Sequence, residues 1–125
     1  EGLGRREALK IAYSAIEEHE RELCLRMIQG LADIDGLKIW GITNPERIAE
    51  RSPTVSFTHP KMVASEIGAL LAERGIFVWA GNFYALELTE ALGLEPEGVL
   101  RVGLLHYNSM EEVNFFLASL REILG

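Results

Sequence analysis

The sequence is poor in the residues that usually announce a chemistry. It has one cysteine, Cys24, so an internal disulfide is excluded, and a reducing, cytoplasmic setting is the expectation. Cys24 has no CxxC partner, and His19, His59 and His106 fall on different segments without metal-ligand spacing, so a metal site is not expected. Basic residues are scarce: 12 Lys and Arg face 19 Asp and Glu, giving a formal charge of −7. Neither nucleic acid nor an anionic membrane surface meets a field of the right sign. No apolar run approaches the ~20 residues of a membrane span, and no signal peptide is visible. There is no glycine-rich phosphate loop, no Ser-His-Asp arrangement, no internal repeat and no low-complexity tract. An initial methionine is also lacking. The sequence opens at Glu1, and the expectation is a piece of a longer protein.

What remains is an ordinary folding composition, 48% hydrophobic and 25% charged over 125 residues, enough for one domain spanning 1–125 with its own core. Leu9, Ala12, Tyr13, Ile16, Leu23, Met27 and Leu31 recur at helical steps over residues 5–33, opposite a charged face of Glu17, Glu18, Arg21, Glu22 and Arg26. Asp35-Gly36 ends that helix. Leu37–Trp40 and Thr54–Phe57 read as strands flanking an irregular stretch over 41–52 with at most one helical turn. Pro60 is expected at the first position of a helix carrying Val63, Ile67, Leu70 and Leu71 and stopping at Gly75. A strand over 76–79, a Gly81-Asn82 turn and a helix from Phe83 to Leu92 follow. Val99–Leu105 is the clearest strand. Ser109 and Glu112 fit a capping box ahead of the stripe Val113, Phe116, Leu117, Leu120 and Leu124. The order α-β-β-α-β-α-β-α gives an α+β class: a small, mostly antiparallel sheet covered by helices.

Two segments invite chemistry. In "VLRVGLL", alternation puts Val99, Arg101, Gly103 and Leu105 on one face and Leu100, Val102 and Leu104 on the other. Arg101 is then a guanidinium among apolar neighbours, with open space beside it at Gly103. A planar five-donor fork there suits a carboxylate or phosphate. It equally suits a solvated sheet face or an internal ion pair. In "IFVWAGNFYALEL", Gly81 can take positive φ, Asn82 can follow it or cap a helix, and Tyr84 brings a phenol to a helix start that favours anions. The plain reading is that Phe83 and Tyr84 pack under the domain. Cys24, between Leu23 and Leu25 on a helix, reads as a small inert hydrophobe.

Taken together, these segments resemble the class V aminotransferases and cysteine desulfurases. "GVLRVGLLHYNSMEEVNFFLASL" is similar to the C-terminal end of that family. "EEHERELCLRMIQGL" resembles its long helix, and "GIFVWAGNFYALEL" its GI-x-x-R-x-G-x-x-C-A segment. The resemblance implies the C-terminal small domain of a fold-type-I enzyme dependent on pyridoxal 5′-phosphate (PLP). The large, cofactor-binding domain would be absent, and so would the Schiff-base lysine, because Lys10, Lys38 and Lys61 match no such motif. It implies further that Arg101 grips the α-carboxylate of an amino-acid substrate, that Asn82, Phe83 and Tyr84 face the cleft, and that the full-length protein is a homodimer. The 125-residue chain alone would bind no PLP and be inactive. Desulfurases carry Arg-x-Gly-His-His-Cys-Ala where this chain has Trp79-Ala80-Gly81-Asn82-Phe83-Tyr84-Ala85, so Tyr84 stands at the nucleophile's position. A phenol, with an ordinary pKa near ~10, is a poor substitute for a thiolate in accepting sulfur. Transamination, epimerisation, β-elimination and desulfuration all stay open. So does a stand-alone α+β module that binds a small anionic ligand or a partner protein through Arg101.

Overall fold

The computed structural model describes residues 4–125. Its elements run α1 (Arg5–Ala32), β1 (Lys38–Trp40), a 3₁₀ helix (Pro45–Glu50), β2 (Thr54–Thr58), α2 (Ala64–Ala72), β3 (Trp79–Gly81), α3 (Leu86–Ala91), β4 (Val99–Gly103) and α4 (Met110–Leu124). The expected order of helices and strands holds, and the class is α+β. Four strands form one sheet in the order β1-β2-β4-β3, antiparallel throughout. The last strand in sequence is therefore central, wedged between β2 and β3.

That placement follows from alternation. Leu100 and Val102 of β4 join Val55 and Phe57 of β2 in the core, where α1 and α2 pack against the sheet and α4 packs on α1 and α2. The stripe on α4 is buried as the sequence suggests. Its start is fixed by the capping box: the Ser109 hydroxyl accepts from the Glu112 N–H, and the Glu112 carboxylate accepts from the Ser109 N–H. Gly30 lets α4 approach α1 closely, since a Cβ there would lie 2.3 Å from Leu117 Cδ1.

Three local expectations are corrected. Pro60 does not open a helix: it sits in a tight turn closed by the His59–Met62 bridge, and α2 starts at Ala64 behind Val63. The strand expected over 76–79 is displaced toward the C-terminus. Burial alternates from Ile76 to Ala80, but only Trp79–Gly81 meet a partner, pairing with Val99–Arg101. Finally, the apolar stripe of α1 is covered along only half its length. Leu23, Met27 and Leu31 are buried, whereas Leu9 and Tyr13 are exposed beside a depression of about 750 Å³ shared with Ile16 and Ile48.

Candidate functional site

The sheet face opposite the helices carries the side chains that sequence reading marked out. Antiparallel partners share a face, and the register makes one row across the sheet: Trp40, Ser56, Arg101, Trp79. Arg101 thus stands between a small hydroxyl and an indole, with Gly103 one step along its strand. Its guanidinium is exposed. Among the described residues it makes no ion pair, which removes the internal ion-pair alternative. Thr54, Phe77, Trp79, Arg101 and Gly103 border an open depression of about 490 Å³. Trp79 and Phe77 are both well exposed.

The loop after β3 differs from its sequence reading. Phe83 and Tyr84 do not open a helix. They occupy the centre of a tight turn at φ 56° and 63°, closed by the Ala85 N–H donating to the Asn82 carbonyl at 2.9 Å. Two consecutive left-handed aromatics cannot start an α-helix, so α3 begins at Leu86 and has only six residues. Its N-terminus is no anion site. Gly81 does take positive φ, 136°. Asn82 does not cap α3. Instead, its side-chain oxygen accepts from the Tyr84 N–H at 3.2 Å, an Asx-type contact that steadies the turn and leaves the amide N–H donors free. The Tyr84 side chain is fully exposed. Phe83 is half-buried, and its ring centroid lies 3.7 Å from Arg101 Cζ. Neither the stack nor the left-handed turn has a sequence signal, because bulky aromatics are poor candidates for that backbone region.

The remaining reactive groups are committed elsewhere. Cys24 lies in the core behind the sheet, where burial pushes its thiol pKa up despite the nearby Arg51 charge. His19 and His59 bond to the carbonyls of Asn108 and Asp35. Arg51 ties its own segment together through the carbonyls of Ile42 and Thr54. Lys10, Lys38 and Lys61 are all exposed, and the Lys38 ammonium rests 3.8 Å over the Trp40 ring. Lys10 borders a groove of about 650 Å³ whose walls all come from α1, among them Arg5, Arg6, Leu9, Tyr13 and Glu17; a groove on one exposed helix encloses no ring, so these residues do not fit a PLP cradle.

Residues 5–116 match the aminotransferase class-V family. The chain belongs to that family. This class-V chain is 37% identical over 117 residues to the aminotransferase-like protein FGM3 of Gibberella zeae, covering 92% of this chain and 29% of that one. It is 34% identical over 108 residues to a probable cysteine desulfurase of Mycobacterium leprae, covering 86% and 25% respectively. It superposes on the apo cysteine desulfurase of Thermococcus onnurineus NA1 with a TM-score of 0.83 and 29% identity, covering 95% of this chain and 28% of that structure. The class-V chain thus spans between a quarter and a third of the length of these relatives. Dependence on PLP is a property of the family as a whole.

Proposed function

We propose that these residues are the C-terminal small domain of a longer, homodimeric, cytoplasmic PLP enzyme acting on an amino acid, and that Arg101 grips the substrate α-carboxylate. One observation carries this reading: an exposed guanidinium that makes no ion pair among the described residues, set among aromatics on the sheet face opposite the buried Leu100 and Val102. A carboxylate at that edge gains two charge-assisted hydrogen bonds and is fixed in orientation. PLP, held by the rest of the polypeptide, supplies the stabilisation of the substrate carbanion. The residues here bind and orient. In this reading Tyr84 donates a proton or hydrogen bond from its exposed phenol, and the amide N–H groups of Asn82, whose side-chain oxygen is taken by the Tyr84 N–H, reach a substrate oxygen. Cys24, in the core behind the sheet, does not take over a sulfur-accepting role from position 84.

The test is Arg101→Lys in the full-length protein carrying its PLP. Lysine keeps the charge and loses the planar fork. A charge-assisted hydrogen bond contributes about 1.5–3 kcal/mol, so kcat/KM for the amino-acid substrate should fall roughly 10–100-fold, with the cofactor absorbance unchanged. Unchanged kinetics would remove Arg101 from substrate binding and leave the face free for recognition of an anionic ligand or a partner protein.

A further inference from the structure

Arg101 has a neighbour with no place in the reading above. The five N–H donors of a guanidinium all lie in its plane, whereas the faces of that plane carry none. The Phe83 ring lies over Arg101 with its centroid 3.7 Å from Cζ, a contact with the guanidinium as a cation that leaves the donors unused. A carboxylate binds the in-plane edge, so ring and ligand do not compete. Phe83 is also not among the walls of the depression that Arg101 borders with Thr54, Phe77, Trp79 and Gly103.

The backbone holds Phe83 there at a cost. Two adjacent bulky residues at φ 56° and 63° persist only where the surroundings over-determine them. Here the Asn82 side chain bonds the Tyr84 N–H and the Asn82 carbonyl bonds the Ala85 N–H. From behind, Gly98 packs so tightly that a Cβ on it would sit 2.3 Å from the carbonyl carbon and oxygen of Gly81. Ser56 and Trp79 stand on either side of Arg101 in the row. We propose that Phe83 is a positioning residue: its ring fixes the guanidinium plane of Arg101 so that the N–H edge is presented to a carboxylate. This rests on Arg101 being the carboxylate-binding group.

The experiment uses the full-length protein and phenylglyoxal, an arginine reagent, with labelling of Arg101 followed by peptide mass spectrometry. Phe83→Leu keeps apolar bulk and loses the aromatic face, and Phe83→Trp keeps the face. Loss of an exposed stack corresponds to roughly a 2–5-fold change. F83L should therefore label Arg101 about 2–5-fold faster, with KM for the amino-acid substrate raised by a similar factor and kcat unchanged. F83W should behave as wild type. A structural role alone would lower the melting temperature without this split between KM and kcat. In wild type, a mixture of the common L-amino acids should slow Arg101 labelling, and the corresponding decarboxylated amines should not. Equal labelling of F83L and wild type overturns the proposal. Absence of protection in wild type instead overturns the carboxylate reading beneath it, so the two failures are told apart. Should F83L not fold, fast labelling in F83W overturns the proposal and wild-type labelling supports it.

Discussion

Arg101 is exposed and makes no ion pair among the described residues, and its neighbours in the row, Ser56 and Trp79, offer it no carboxylate. An arginine so placed contributes little to folding, because its charge stays hydrated and its removal opens no cavity. Surface substitutions away from caps, cores and ion-pair networks usually change stability by no more than about 0.5 kcal/mol. Arg101→Lys in the 125-residue chain should therefore melt within a degree or two of wild type, about what such a change shifts a midpoint in a domain of this size. A large fall in the melting temperature would mark the side chain as structural and weaken its assignment to a ligand. The contrast with Arg51 is useful. That guanidinium is tied to the backbone carbonyls of Ile42 and Thr54, and it belongs to the fold.

At the scale of elements, the turn between β3 and α3 and the cap of α4 make opposite demands. The turn depends on Gly98, which has φ 67° and no room for a Cβ against the Gly81 backbone. Gly98→Ala combines a left-handed alanine with a backbone clash and should cost on the order of 1–3 kcal/mol, read as a lower urea midpoint at unchanged m-value. An unshifted midpoint would mean that the 95–98 segment does not hold the turn. The cap of α4 is electrostatic as well as geometric. The Ser109 backbone N–H, and after it the Asn108 side chain, hold the Glu112 carboxyl below its ordinary pKa. A carboxylate lowered in the folded state stabilises above its unfolded pKa, and that contribution is lost as pH falls through the folded value. The stability gap between wild type and Glu112→Gln should therefore be widest near neutrality and close in acid, as followed by urea melts across pH. A gap that grows in acid would contradict the cap. These elements also show where the sequence is legible. The α4 stripe and its box are local patterns, as is the alternation of β4 that exposes Arg101. Pro60, the start of β3 and the left-handed Phe83-Tyr84 pair are decided by the His59–Met62 bridge, by the residues β4 offers for pairing, and by the packing of Gly98. None of these is written in the local segment.

On the scale of the whole molecule, α1 and α2 pack against the sheet and α4 packs on those two helices, and apolar surface is left open elsewhere. Phe77, Trp79 and Tyr84 are exposed near the Arg101 face, as are Leu9 and Tyr13 along the N-terminal half of α1. Exposed aromatic patches of this kind mark interaction surfaces, and the role proposed above, a domain that closes over a cofactor held by the rest of a longer polypeptide, requires such surfaces. It does not require a lysine of its own. An imine-forming lysine is commonly activated by desolvation in an apolar pocket, whereas Lys10, Lys38 and Lys61 are all exposed, and Lys38 lies over the Trp40 ring on the edge strand. When the 125-residue chain is mixed with a moderate excess of PLP and reduced with borohydride, peptide mass spectrometry should show sparse label spread over these lysines. No saturable band near the absorbance of a protein-bound PLP imine should develop. Stoichiometric modification at one defined lysine would mean that this domain holds the cofactor itself. The division of labour proposed for it, with Arg101 binding the substrate while another part of the polypeptide binds PLP, would then have to be abandoned.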